Sequence, residues 1–239
     1  MIALARERIL NGTDKMEKIF TFEFNGYEAT VIRPENPNGK WIWKTEFLYA
    51  FDTAERELLK EGYTRVYYCI SDMYGSPRAI DLMHRFFDHV AERFSLDKKC
   101  VLFGFSRGGL YAFNFALSHP ECVDKIYLDA PVLDMRSWPP EGSENRDQVY
   151  REFGLDPDTI KTFSSHPVNR LPEFFSRGIP LLLVAGGADE IVPFEENSGI
   201  LIKYCMDNDI DIGCIIKPEC KHHPHSLDDV TPILDFVMK

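Results

Sequence analysis

The chain has 239 residues, 44% of them hydrophobic and 13% aromatic, which is enough for one domain with a sizeable core. Its formal net charge of -11 argues against nucleic acids and anionic membranes as partners, because both require basic surface patches. We expect no secretory signal and no membrane span, since the N-terminus lacks an apolar core and no apolar stretch is long enough. The six cysteines form no C-x-x-C pair, which favours a reduced, cytoplasmic protein.

Strands and helices alternate along most of the chain. The first predicted element is a β-hairpin over residues 19–33, with Asn25-Gly26 at its turn. Apolar periodicity then predicts strands at 40–45, 65–70, 99–105, 125–130, 180–185 and 210–217 and helices at 46–59, 77–94, 196–206 and 231–238. This alternation predicts an α/β fold with a mostly parallel central sheet and helices on both faces.

Residues 131–177 interrupt this alternation and are rich in Pro, Ser, Asp and Glu. They separate two strands by far more than a simple crossover needs. We expect a small cap or lid over the strand ends, within a single domain of residues 1–239. The alternative is a solvated surface insertion without a role at the site.

The pattern G-x-S-x-G surrounds Ser106, between an apolar strand-like stretch and a helix-like one. This is the context of a nucleophile elbow, a sharp strand-to-helix turn. The absence of β-carbons at Gly104 and Gly108 leaves room for the turn, so that a base can reach the serine. The pattern predicts Ser106 as a nucleophile.

A serine hydroxyl needs a base to take its proton, and the base needs an acid to hold its tautomer. Asp189 is the candidate acid, because two glycines lead to it from the end of a predicted strand. Asp129, at the end of the preceding strand, is the second choice, and Glu190 is a neighbour that could be confused with Asp189. The alternative role of Asp189 is to cap the helix that follows.

The candidate base belongs to a cluster that follows the last predicted strand: His222, His223 and His225. A metal site is an alternative, because histidine is a common ligand. The spacing matches no familiar zinc pattern. We predict neither a metal nor an organic cofactor, because catalysis by a serine, a histidine and an acid needs none.

With these residues in hand, the chain resembles the α/β-hydrolase superfamily from about Thr21 to Val237. The matching motifs are GFSRGG at Gly104 to Gly109, GGADEIVP at Gly186 to Pro193 and KHHPH at Lys221 to His225. The resemblance implies Ser106 as nucleophile, Asp189 as orienting acid and a histidine as base, in the chain order of that superfamily. Aligned on Pro224, the base is His222, with His223 the alternative because Lys221 replaces the usual glycine.

An oxyanion hole requires backbone N–H groups aimed at the developing negative charge. The N–H of Arg107 is the expected first donor, and the second is expected at Lys44 or Thr45. Trp43, Tyr74 and Trp138 are predicted to line an acyl or sugar pocket, the alternative being packing in a core or lid. A W-x-W-[KR] element and a Tyr-Gly-Ser-Pro loop also resemble uncharacterised bacterial hydrolases near the esterase and prolyl-oligopeptidase-like branches.

The leading hypothesis is a serine hydrolase that forms an acyl-enzyme on a small carboxylic ester, the absence of a propeller-like domain favouring an ester over a peptide. A peptidase or amidase with the same three residues is the second hypothesis. The third is a non-catalytic binding protein on this fold. The sequence leaves open whether the chain forms a homo-oligomer.

Overall fold

A single mixed sheet organises the molecule. In the computed structural model the described residues are 8–11, for which the backbone alone is described, and 17–239. Within them the sheet has nine strands in the order β1-β2-β3-β5-β4-β6-β7-β8-β9. The strands are β1 (Arg8–Asn11), β2 (Glu17–Phe24), β3 (Tyr27–Pro34), β4 (Trp41–Lys44), β5 (Thr64–Tyr68), β6 (Cys100–Phe105), β7 (Val123–Asp129), β8 (Leu181–Gly186) and β9 (Gly213–Lys217).

The sheet is antiparallel at one end and parallel over the rest. Strands β1, β2, β3 and β5 pair antiparallel, whereas β5, β4, β6, β7, β8 and β9 run parallel to one another. The predicted hairpin is present, with Phe24 opposite Tyr27 across the turn, whereas β1 was not predicted. Because parallel strands end at the same edge, the residues that follow β6, β7 and β8 meet there.

Helices cover both faces of the sheet. They are α1 (Thr53–Lys60), α2 (Pro77–Phe94), α3 (Gly108–Ser118), α4 (Glu144–Phe153), α5 (Thr159–Thr162), α6 (Leu171–Ser176), α7 (Ser198–Asp207) and α8 (Thr231–Met238). Helices α2, α3 and α7 pack in the larger core, and α1 and α8 in a separate core on the other face. The fold is the predicted α/β one, which confirms that expectation.

Helix α2 shows how local sequence sets these elements. Ser76 caps it by accepting a hydrogen bond from the N–H of Ala79, and Pro77 takes the first helical position. Its apolar stripe, which includes Met83, Phe86 and Val90, is buried. The predicted bounds of 77–94 are therefore confirmed.

The predicted helix over residues 46–59 is shorter in the structure, because α1 begins only at Thr53. Phe47 and Phe51 have positive φ angles of 59° and 52°, which a right-handed helix excludes. The residues between them form a turn closed by the bond from the N–H of Ala50 to the carbonyl of Phe47. Glu46 consequently lies in a loop at the carboxyl end of β4.

The 131–177 segment has two structural parts. Its first part packs in a small cluster of its own, with Val132 and Val149 against Tyr74 and with Leu110 of α3. Its second part packs against the main sheet, because Val168, Leu171 and Phe174 belong to the larger core. Within the described ranges, no helix has the length and hydropathy that crossing a bilayer requires.

Candidate active site

Ser106 lies at the sharp turn between β6 and α3. Its φ of 50° is left-handed, a conformation uncommon for a residue other than glycine. Its N–H donates to the carbonyl of Asp129 at 2.9 Å, and its own carbonyl accepts from Gly109 and Val132, also at 2.9 Å. A β-carbon at Gly104 would lie 2.9 Å from side-chain carbons of the adjacent helix and strand, so only glycine fits. The turn is therefore held rigidly from both sides.

The structure brings Ser106, His222 and Asp189 together. The Oγ of Ser106 lies 2.9 Å from Nε2 of His222, and Nδ1 of His222 lies 2.7 Å from Oδ2 of Asp189. With the Nδ1 proton donated to Asp189, Nε2 is free to accept the hydroxyl proton of Ser106. All three residues are buried, which strengthens these interactions.

Asp189 is fixed on the loop after β8 by its other carboxylate oxygen. Oδ1 accepts hydrogen bonds from the N–H groups of Ile191 and Val192, each at 3.0 Å. The residue thus caps the local turn with one oxygen and orients His222 with the other. Glu190 is exposed and does not share this position.

The loops after β8 and β9 are bonded to each other. Gly187 donates to the carbonyl of Lys217 at 2.9 Å, and Ala188 donates to that of Cys220 at 3.0 Å. These bonds set the spacing between the loop that carries Asp189 and the loop that carries His222.

The other two histidines have different surroundings. His223 is exposed and stacks on Phe51, with ring centroids 5.7 Å apart. Partial burial, and then the neighbouring imidazoles, lower the pKa of His223. His225 is buried, and its Nδ1 lies 2.7 Å from Oδ1 of Asp129. Asp129, the second-choice acid, therefore contacts His225 and not His222.

The three imidazoles also form the group best placed to bind a metal ion at this edge. Their ring centroids are 4.8 to 4.9 Å apart, and one nitrogen from each lies within 4.8 Å of the others. Both nitrogens of His222 already have protein partners, however. A metal ion on His222 would have to displace Ser106 or Asp189.

The structure does not place Lys44 as the second oxyanion donor. Its ammonium is buried in an ion pair with Glu55 at 2.5 Å, and burial lowers the pKa of Lys44. The N–H of Thr45 donates to Phe103 in β6. Because N–H groups alternate between the two sides of a strand, the N–H of Lys44 faces the other neighbour, β5. Neither group is available to a substrate oxygen.

Glu46 lies two residues after Lys44, in the loop that follows β4. Its backbone N lies 3.5 Å from where a β-carbon of Gly108 would be, beside the first turn of α3. Among the described residues, neither this N–H nor that of Arg107 has a hydrogen-bond partner. The first of these groups thus lies near Gly108, two residues after Ser106, and the second belongs to the residue directly after Ser106. The loop that carries Glu46 is the one the sequence predicted as helix, and for that reason the residue was missed.

The side chains of Glu46 and Arg107 form a polar cluster at the same place. Arg107 lies 3.4 Å from both Glu46 and Asp72, and its guanidinium is near the rings of Phe47 and Tyr74. Glu46 also accepts a hydrogen bond from the hydroxyl of Ser71 at 3.0 Å. Burial raises the pKa of Glu46, partly offset by the positive charge of Arg107.

The predicted substrate-binding aromatics divide into two groups. Trp43 is in the core, packed edge-on against Phe86 and Phe115, which corrects its assignment to a pocket. Helices cover both faces of the sheet, so side chains on both faces of β4 are buried, and the indole of Trp43 is only 1% exposed. Tyr74 packs against Trp138, which belongs to the first part of the 131–177 segment, with ring centroids 6.2 Å apart.

Comparison with known proteins agrees with this architecture. The sequence profile described as "Prolyl oligopeptidase family" (Peptidase_S9) matches residues 62–239. No curated protein matches the sequence. The fold resembles the fluorophosphonate-binding serine hydrolase FphF of Staphylococcus aureus, with a TM-score of 0.67, 15% identity and 92% coverage of both chains.

Two further solved structures share the fold. S-formylglutathione hydrolase (FrmB) of Staphylococcus aureus gives a TM-score of 0.61 at 16% identity, covering 98% of this chain and 94% of that one. Dipeptidyl peptidase 4 of Porphyromonas gingivalis gives 0.64 at 14% identity, and 86% of this chain matches 32% of that one. The chain thus spans about a third of the peptidase.

Fold and family together define an α/β-hydrolase of the serine hydrolase type. Since the family profile covers more than half of the 239 residues, the chain belongs to the prolyl oligopeptidase family.

Proposed function

We propose that this protein hydrolyses small carboxylic esters through an acyl-enzyme, with Ser106 as nucleophile, His222 as base and Asp189 as orienting acid. The observation that carries the proposal is the continuous pair of hydrogen bonds from Ser106 through His222 to Asp189, at 2.9 and 2.7 Å. This arrangement activates a hydroxyl that is otherwise a poor nucleophile at neutral pH.

The steps follow from these contacts. Ser106 Oγ attacks the carbonyl carbon of the ester as its proton passes to Nε2 of His222, giving a tetrahedral oxyanion. The imidazolium then gives that proton to the leaving alcohol oxygen as the carbon–oxygen bond breaks. Water, deprotonated by His222, attacks the acyl-enzyme and releases the carboxylic acid and free Ser106. Asp189 stays ionised throughout and stabilises the imidazolium.

The oxyanion hole is proposed to consist of the backbone N–H groups of Arg107 and Glu46. The first lies at the N-terminus of α3, where the helix dipole favours negative charge. The second is the free N–H of the loop after β4. Loss of one such donor costs roughly 100- to 1,000-fold in kcat in related chemistry.

The first part of the 131–177 segment is proposed to act as a cap over the acyl pocket. It packs on Leu110 of α3, four residues after Ser106, and on Val192, next to the loop of Asp189. Tyr74 joins the cap to the domain through a hydrogen bond from its hydroxyl to Gln148 at 2.5 Å. Tyr74 and Trp138 would then contact the acyl group.

Esters are favoured over peptides because this chain matches the serine hydrolase FphF and the S-formylglutathione hydrolase FrmB over nearly their full length. It matches only about a third of the dipeptidyl peptidase. A peptidase or amidase activity is the second candidate, and it is supported by membership of the prolyl oligopeptidase family. The two differ in the leaving group, because an amine must be protonated by His222 to depart, whereas an alkoxide leaves more easily.

The test is intact-mass analysis after treatment with a fluorophosphonate, on the wild type and on Ser106→Ala. One adduct on the wild type and none on the variant would support the proposal. Parallel kcat/KM values for acyl esters and for the matching p-nitroanilides would then separate the two activities. No adduct on folded wild type would contradict the proposal and leave the non-catalytic binding protein.

A further inference from the structure

Asp129 is hydrogen-bonded both to the turn that carries Ser106 and to the loop that carries His222, but not to His222 itself. Its backbone carbonyl, at the end of β7, accepts the N–H of Ser106 at 2.9 Å. Its carboxylate accepts from the ring of His225 at 2.7 Å and from the backbone N–H of Ser226 at 2.8 Å. One residue thus joins the nucleophile turn to the loop that carries the base.

The carboxylate is fully committed inside the protein. Asp129 is 1% exposed, and the hydroxyl of Tyr127 donates a third hydrogen bond to it at 2.6 Å. A buried carboxylate is tolerated when several donors satisfy it, and charge-assisted bonds of this kind are strong and directional. The position of the loop of residues 221–226 relative to β7 is therefore closely determined.

A second group holds the same loop from β9. The ammonium of Lys217 donates to the carbonyl of Pro224 at 2.6 Å and to that of Ser226 at 2.9 Å. The loop is thus held from both neighbouring strands. The bonds to Asp129, however, connect this loop to the residue whose backbone carbonyl also accepts a hydrogen bond from Ser106.

We propose that Asp129 and His225 form a positioning pair that sets the distance between Ser106 and His222. This inference rests on the proposed function, because the distance matters only if His222 takes the proton of Ser106. The ring of His225 lies against that of His222, with centroids 4.9 Å apart and planes at 81°. A shift of the His225 ring is therefore transmitted directly to the base.

We expect loss of the Asp129–His225 pair to lower kcat and to leave substrate binding unchanged. A displacement of about 1 Å between reacting groups costs on the order of 100-fold in rate. His225 lines a cavity with Phe51 and Lys217, which are not part of the cluster that packs beneath the cap, and we expect loss of the pair to leave KM nearly unchanged. This separation distinguishes positioning from general damage to the site.

The experiment compares purified Asp129→Asn with wild type and with Tyr127→Phe. The Asn variant keeps the backbone carbonyl that holds Ser106 but removes the charge that holds His225 and Ser226. Tyr127→Phe is the matched control, because it removes a bond to the same carboxylate from within β7. We measure kcat and KM for a p-nitrophenyl ester, the rate of fluorophosphonate labelling, and thermal unfolding of each protein.

Asp129→Asn is expected to lower kcat and the labelling rate by about 10- to 100-fold with KM within about twofold, while Tyr127→Phe stays within about threefold of wild type. At position 225, Asn supplies a donor near the place of Nδ1, whereas Leu supplies none. His225→Asn should therefore retain most of the rate that His225→Leu loses, and this pair decides the question if Asp129→Asn does not fold.

A folded Asp129→Asn with wild-type kcat and labelling would overturn the proposal. Equal losses in His225→Asn and His225→Leu would do so too, since they would assign the ring a space-filling role. A wild type that takes no fluorophosphonate would instead overturn the proposed function, and this inference with it.

Discussion

Gly186 and Lys221 are in backbone contact across the site. A β-carbon built at position 186 would lie 2.2 Å from the carbonyl oxygen of Lys221 and 2.5 Å from that of Cys220. The glycine is therefore what allows the loop after β9 to approach the end of β8 closely enough for His222 to reach Asp189.

Gly186→Ala is expected to separate the two loops. The overlap is with backbone, which cannot rotate away, and we expect a loss of about 1–3 kcal/mol in the free energy of unfolding together with a large fall in kcat. The measurement is urea unfolding and ester hydrolysis. Gly154→Ala is the control, because its β-carbon meets nothing within 4 Å and only the φ of 66° is unfavourable. Full activity in Gly186→Ala would contradict this account.

The histidines at 222 and 223 should respond very differently to substitution. His222→Ala removes the hydrogen-bond partner of both Ser106 and Asp189, and we expect kcat to fall by about 1,000-fold or more. His223→Ala removes an exposed ring that stacks on Phe51, and kcat should stay within about threefold. Steady-state ester hydrolysis by the two variants measures both effects. Similar losses in the two proteins would be inconsistent with the geometry.

Lys44 is expected to matter for stability and not for chemistry. Its ion pair with Glu55 is almost fully buried, with side chains 2% and 1% exposed. Lys44→Met leaves the Glu55 charge without a partner and should cost about 3–5 kcal/mol, whereas the double variant Lys44→Met/Glu55→Leu should recover much of that. Chemical denaturation of Lys44→Met, Glu55→Leu, the double variant and the parent protein gives the coupling. A cost for Lys44→Met below about 1 kcal/mol would show that the pair is not needed.

The buried carboxylate of Glu46 should make stability depend on pH. Burial raises its pKa above the ordinary value of 4.5 in the folded protein, so the folded state holds this proton more tightly than the unfolded state. Stability contributed by the protonated form is present at low pH and is lost as pH rises from about 4.5 through the folded pKa. The neutral side chain of Glu46→Gln does not ionise, so this variant does not undergo that loss of stability as the pH rises.

Relative to wild type, Glu46→Gln should therefore gain stability as the pH is raised from 4.5, and the difference should level off above the folded pKa. The measurement is urea unfolding of both proteins at a series of pH values. Glu61→Gln, at an exposed site, is the control. A difference that is constant or decreases with pH would contradict the assignment.

The sequence by itself determined the α/β class, most strand positions, helix α2 to the residue, and Ser106, Asp189 and a histidine cluster as the groups that the structure brings together. These follow from local signals: apolar periodicity, glycine-flanked turns, and the order of polar residues after strands.

Only the tertiary structure distinguished His222 from His223, because the two share a local sequence and differ in what the folded loop places beside them. It also moved the second oxyanion candidate from Lys44 to Glu46. The strand ends at Lys44, which is buried in an ion pair with Glu55. The left-handed residues Phe47 and Phe51 delay the start of the helix. A propensity pattern shows neither feature.

The same reason applies to Trp43, whose burial is a property of the assembled sheet, and to the link between Asp129 and His225, which are 96 residues apart in sequence. Contacts of that separation depend on strand order, and in this chain the order β5-β4-β6 departs from the order in sequence. Local patterns select which residues stand at strand ends. The sheet topology decides which of them meet.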